Sequence, residues 1–147
     1  MKHLGTKRLE TDRLILRRFT IEDASDMFEN WAKDPEVTKY LTWQAHTDLD
    51  ETEDVITRWE DETIDDNVYQ WAIECKETGQ VIGSISAVNM NEKVQSVEIG
   101  YCIGRAFWRK GYTSEALAEV MRFFFEEVGA NRVEARCDVR NQNSAKV

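Results

Sequence analysis

The sequence predicts an α+β fold in which a mixed, mostly antiparallel central sheet is flanked by helices. Three observations predict it. Strand-like and helix-like segments follow in the order strand, helices, three consecutive strands, helix, strand. The three consecutive strands are joined by short turns and therefore form an antiparallel meander. Only the last helix separates two strands by enough chain for a parallel crossover, which makes the sheet mixed.

Leu14 and Leu16 alternate with Ile15 and Arg17-Arg18 as a first strand over residues 13–19. Thr20-Ile21-Glu22-Asp23 has the make-up of a helix start, with Thr20 as N-cap and carboxylates in the first turn. Ala24, Met27, Phe28 and Trp31 then share one face. Asp34-Pro35 opens a short helical turn running to Tyr40, with proline at the first helical position. Between Asp48 and Asp66 stand ten acidic residues and one basic residue, Arg58, while Leu49, Thr52, Ile56 and Trp59 recur at helical spacing. A solvated amphipathic helix is the plainer reading; a negative rim that attracts cationic acceptors is the functional one. Strands follow over 69–75, 81–88 and 94–103, with a hairpin turn at Glu77-Thr78-Gly79-Gln80 and another turn over 89–93. The helix after Gly111 presents Leu117, Val120, Phe124 and Val128 to the core and ends at Gly129. Residues 132–138 form the last strand.

A chain of 147 residues suits one domain with a single core. Its 41% hydrophobic and 10% aromatic content excludes general disorder. No apolar run approaches a membrane span, and Met1-Lys2-His3-Leu4-Gly5 lacks a secretory hydrophobic segment. Cys75, Cys102 and Cys137 are an odd number without metal-ligand spacing. They read as reduced, mostly buried thiols of a cytoplasmic protein with no metal site, and the lack of a long apolar run predicts no membrane association. A net charge of −9 and a pI near 4.8 oppose nucleic-acid binding.

Against that acidity, the loop from Gly104 to Gly111 carries Arg105, Arg109 and Lys110. It follows a strand and opens the long helix. A helix start leaves backbone N–H groups without intrahelical acceptors, and the helix dipole adds positive potential there. The loop lacks the paired glycines of a dinucleotide fingerprint and the Gly-Lys-Ser/Thr ending of a P-loop. Taken alone, it reads equally as a phosphate site and as an ordinary strand-to-helix turn with solvated arginines.

Four stretches in fixed order carry a likeness that covers essentially the whole chain. They are Glu10-Thr11-Asp12-Arg13-Leu14-Ile15-Leu16-Arg17; Asp34-Pro35-Glu36-Val37-Thr38-Lys39-Tyr40-Leu41; Val97 to Tyr101 with Trp108 to Ala116; and Asn141-Gln142-Asn143-Ser144. With them the chain resembles the GNAT superfamily of N-acetyltransferases, and within it the Rim-type branch of ribosomal-protein N-terminal acetyltransferases. The resemblance implies acetyl-CoA as co-substrate. It implies that backbone amides from Arg109 through Lys110, Gly111, Tyr112 and Thr113 to Ser114 hold the pyrophosphate. It also implies that the pantetheine arm lies along Ile99, Tyr101 and Ile103 like an added strand, where the sheet splays. The family's loop pattern is Gln/Arg-x-x-Gly-x-Gly/Ala; here Trp108 and Thr113 stand at its first and last positions. Arg109 stands where glycine is common in the branch, which leaves its side-chain direction open.

Acetyl transfer asks for a base to deprotonate the amine, a donor for the oxyanion and a proton for the leaving thiolate. Glu98 reads on its own equally as a solvent-facing strand carboxylate and as a base, acting directly or through a water; the resemblance implies the base. It likewise implies Ser144 as proton donor, or hydrogen-bond donor, to the thiolate and Asn141 as a hydrogen-bond partner of the pantetheine arm, roles compatible with a helix start. A backbone N–H at or beside Ile99 is the oxyanion donor. Tyr101 and Tyr112 read equally as packing residues, and His3 and His46 receive no role. Covalent catalysis through Cys102 or Cys137 is not required.

The sequence stops three residues past Ser144, where the family continues through a helix and two further strands. The single domain over 1–147 is therefore expected to be C-terminally incomplete, with an open sheet edge that favours self-association. The expected function is transfer of acetyl from acetyl-CoA to an amine, a protein N-terminus above all. The alternative is a non-catalytic acyl-CoA-binding or interaction protein.

Overall fold

Leu14 and Leu16 are fully buried while Ile15 and Arg17, which alternate with them, are only half-buried, the alternation of a strand with one face on a core. In the computed structural model, which describes residues 1–39 and 44–135, this strand is β2 (Leu14–Arg17). A two-residue strand not foreseen from the sequence, β1 (Leu9–Glu10), precedes it. The remaining strands are β3 (Gln70–Cys75), β4 (Val81–Asn91), β5 (Ser96–Ile103) and β6 (Arg132–Ala135). They lie in one sheet in sequence order, antiparallel throughout except for β5 and β6, which are parallel. The expected mixed, mostly antiparallel sheet is therefore present.

Helix α1 (Ala24–Met27) continues into a widened turn over Phe28–Ala32 and is followed by α2 (Pro35–Thr38) and α3 (Leu49–Glu62). These helices cover one face of the sheet, burying Phe19, Ala24, Met27, Trp31 and Ile56 against Ala72 and Val81. Two α1-side groups fix that docking. Asp26 accepts the Val81 N–H at 3.0 Å, and the Asn30 amide donates to the Val81 carbonyl at 2.8 Å. Helix α4 (Tyr112–Phe123) covers the other face with Ala116, Val120 and Phe123. Its last turn, Phe124–Val128, widens so that Phe123 and Phe124 are both buried, and it ends at Gly129 with φ +91°.

The first strand is shorter than expected at both ends, and a turn and a helix face also depart from the sequence reading. The turn expected over 89–93 falls at residues 92–95, because β4 runs on to Asn91. Its pairing with β5 steps from Ala87↔Ile99 to Asn89↔Glu98, so Val88 is an extra, bulged residue. The bulge keeps asparagines in a strand that their propensity disfavours. In α3, Leu49 is exposed, and Val55 joins Thr52, Ile56 and Trp59 on the inward side. Of the last strand, residues 136–138 lie outside the described residues, as do Tyr40 and Cys137.

Candidate active site

β5 leads directly into the loop. After Ile103 the chain makes a short turn over Arg105–Phe107. The Trp108 indole N–H donates back to the Ile103 carbonyl at 2.9 Å and ties the loop to the strand end. The backbone then passes through two left-handed residues, Arg109 with φ +64° and Gly111 with φ +81°. A left-handed residue among ordinary ones turns successive N–H groups toward one side, a concavity suited to an anion. At Arg109 the same backbone carries a strain of about 1–3 kcal/mol. This is the physical reason glycine suits that position.

The N-cap of α4 is Gly111, which has no side chain of its own to cap the helix start. Its first helical bond runs from the Glu115 N–H to the Gly111 carbonyl at 3.1 Å. The N–H groups of Tyr112, Thr113 and Ser114 thus lie ahead of the helix's own ladder. The starts of α2 and α3 are by contrast capped by carboxylates: Asp34 accepts from the Glu36 N–H at 2.9 Å, and Asp48 from the Glu51 N–H at 3.0 Å. Arg109 and Lys110 are exposed beside the α4 start. Arg105, the third cation expected there, is engaged elsewhere: its Nε lies 3.1 Å from Asp34 Oδ2, at the cap of α2. The Tyr112 hydroxyl lies 3.8 Å from Cys75 Sγ, and the Arg13 guanidinium stacks 4.5 Å over its ring. That side chain is packed, so Tyr112 offers a ligand its backbone N–H.

Along β5, Val97, Ile99 and Ile103 are buried toward α4, with half-buried Tyr101 packed against the same core. Ile99 and Ile103 can meet a ligand only through their backbone. Glu98 is half-buried on the opposite face, the one covered by α1 and α3, and shares it with Gly100 and Cys102. A Cβ on Gly100 would come within 2.7 Å of the bulged Val88, so glycine makes room for the bulge beside Glu98. The described pairing of β5 with β6 runs from Ser96↔Arg132 to Ile99↔Ala135. From Glu98 to Ile103 is about 17 Å of extended strand. The candidate base and the amide cluster thus sit at opposite ends of one strand. Burial pushes the Cys102 thiol up to about 12, which leaves it inert as a nucleophile. Asn141 and Ser144 lie outside the described residues. Among the described residues no cluster of histidine, cysteine and carboxylate groups could hold a metal ion.

Residues 13–147 match the family described as the acetyltransferase (GNAT) domain. The chain belongs to the GNAT acetyltransferase family. It is 35% identical over 139 residues to the uncharacterized N-acetyltransferase p20 of Bacillus licheniformis, a match spanning 95% of this chain and 78% of that one. Among solved structures it resembles the microcin C7 self-immunity acetyltransferase MccE in complex with acetyl-CoA and AMP. That likeness has a TM-score of 0.80 at 17% identity over 92% of this chain and 76% of the other. It also resembles RimL, a ribosomal L7/L12 alpha-N-protein acetyltransferase, with a TM-score of 0.77 at 19% identity over 95% and 76% of the two chains. As a GNAT member the protein is an acetyltransferase that uses acetyl-CoA as co-substrate. No described helix is long and apolar enough to cross a membrane.

Residues that sequence reasoning gave no role also meet at this site. Arg13 and Thr11, at the start of β2, reach Glu115 in the first turn of α4. Both belonged to the family-like stretches, but nothing local marks them as partners. His3, likewise without a role, lies 3.0 Å from the Tyr69 hydroxyl and 2.5 Å from Glu92. His46 is buried 2.6 Å from the Thr52 hydroxyl.

Proposed function

We propose that this acetyltransferase is a cytoplasmic enzyme of the Rim-type branch that acetylates protein N-terminal α-amino groups. The observation that carries the reading is the glycine N-cap of α4, with left-handed Arg109 and Gly111, at the end of the strand that bears Glu98. The amides from Arg109 to Ser114 hold the coenzyme's pyrophosphate, and the pantetheine arm follows the backbone of Ile99, Tyr101 and Ile103 toward Glu98. The neutral amine attacks the thioester carbonyl carbon. A C–N bond forms, and the C–S bond breaks. Glu98 takes the amine's proton, directly or through a water, and a backbone N–H at or beside Ile99 faces the developing oxyanion. Ser144 hydrogen-bonds the leaving thiolate or protonates it, its own proton then being replaced from solvent, to which Glu98 releases the amine's proton, and Asn141 holds the pantetheine arm. The RimL likeness and the four family-like stretches support the choice of acceptor.

Thiol release from acetyl-CoA, followed with N-terminal peptides, polyamines and small amines as acceptors, tests this reading. Peptide α-amines should be the best acceptors. Glu98→Gln should lower kcat by about 10²–10⁴-fold while coenzyme affinity stays unchanged, because it removes basicity and keeps size. A variant with parental turnover would assign proton removal to another group. Coenzyme binding without transfer to any amine would make the protein a binding module.

A further inference from the structure

A single side chain, just before β2, makes several contacts with the coenzyme loop and the helix start. Arg13 Nε donates to Glu115 Oε1 at 2.6 Å, and Arg13 Nη1 donates to the Lys110 carbonyl at 2.9 Å. Its guanidinium covers the Tyr112 ring at 4.5 Å. The other Glu115 oxygen is held by the Thr11 hydroxyl and, at 2.8 Å, by the Arg13 backbone N–H. Thr11 is itself fixed, since its hydroxyl accepts the Leu14 N–H at 3.1 Å and its own N–H donates to the Leu14 carbonyl at 2.9 Å. The Arg13 carbonyl accepts the Lys76 N–H at 2.9 Å. Arg13 thus reaches three successive parts of the loop and helix start from a rigid base.

We propose that Arg13, oriented by Thr11 and Glu115, is a positioning residue that sets the coenzyme-binding form of the 109–114 loop. In a trans peptide the C=O and the following N–H point in opposite directions. Drawing the Lys110 carbonyl toward β2 therefore turns the Gly111 N–H away from β2 and keeps a carbonyl out of the anion concavity. The same fork neutralises Glu115, whose charge in the first turn would otherwise oppose a diphosphate at that helix start. Its planar geometry allows the carbonyl and the carboxylate to be held together, which a lysine ammonium does not reproduce. The inference rests on the coenzyme role of this loop.

Calorimetry of coenzyme A binding to the full chain, at a temperature well below each variant's Tm, tests it. Arg13→Met should weaken binding about tenfold, and Arg13→Lys should fall between it and the parent. Val128→Ala, a core truncation at the far end of α4, should lower Tm and leave the Kd unchanged. An unchanged Kd for Arg13→Met would overturn the inference. So would an equal loss of affinity in Val128→Ala, which would reduce Arg13 to a general stabiliser. Should Arg13→Met fail to fold, Arg13→Lys and Thr11→Ala are judged by the same two criteria. No coenzyme binding by the unaltered protein would overturn the loop assignment itself, and that result is separate from a loss confined to the variants.

Discussion

Arg109 and Gln95 are the two non-glycine residues with positive φ among those described. Gln95 lies in the turn before β5, whereas Arg109 lies at the coenzyme loop. Backbone strain at a ligand site persists because the surroundings impose it, here through Trp108 on one side and the Arg13–Lys110 contact on the other. Arg109→Gly relieves that strain but adds freedom to the unfolded chain, so stability should stay unchanged or rise by up to about 2 kcal/mol. Coenzyme affinity should nevertheless fall, and its dependence on salt should become shallower, because one exposed cation near the phosphates is gone. Thermal unfolding and calorimetry at two ionic strengths measure both effects. The sequence identified this stretch through glycine and basic residues next to a helix start. It could not show that Arg105 is drawn to Asp34, since that pairing depends on how α2 docks.

Helix α4 shows how a terminus can be stable and still accept a ligand. Its dipole end is left to backbone amides, and the nearby carboxylate, Glu115, is turned toward β2. Burial by itself would raise the Glu115 carboxyl, but the Thr11 hydroxyl, the Arg13 N–H and the Arg13 guanidinium outweigh it and hold it below the ordinary carboxylate range. A group with a lowered folded pKa stabilises the fold above its unfolded pKa, and that stability is lost as pH falls through the folded value. The parent's Tm should therefore drop on acidification below about pH 4.5. Glu115→Gln should have a lower Tm at neutral pH and a shallower acid limb, which Tm measured against pH checks. Equal slopes for the two proteins would mean that Glu115 carries none of the acid sensitivity. The ends of elements were less legible than their order. β4 runs past the expected turn through the Val88 bulge, and the room for that bulge comes from Gly100 on the neighbouring strand.

In the molecule as a whole, one sheet separates two apolar clusters, and the coenzyme loop is tied to both sides of it. Arg13 connects the loop to β2 and the α4 face; Arg105 connects it to α2 on the other face. A ligand that engages this loop only in the folded state stabilises the entire domain by mass action, by about 2.7 kcal/mol at a hundred times its Kd. For a chain of this size the Tm should rise by several degrees, roughly 2–4 °C per kcal/mol, and thermal scans over a range of acetyl-CoA concentrations measure it. A flat Tm would mean that the coenzyme does not bind the folded state. Element order, the α+β class, the parallel last pair and the basic helix start can be read from the residues alone, because alternation, helical spacing, caps and glycines act over a few positions. The clamp joins Arg13 to Glu115 across 102 positions, and its partners look like ordinary surface charges until the strand and helix are packed together. Tertiary structure alone decided that clamp, the diversion of Arg105 and the bulge beside Glu98, because each is a contact between elements rather than a property of one.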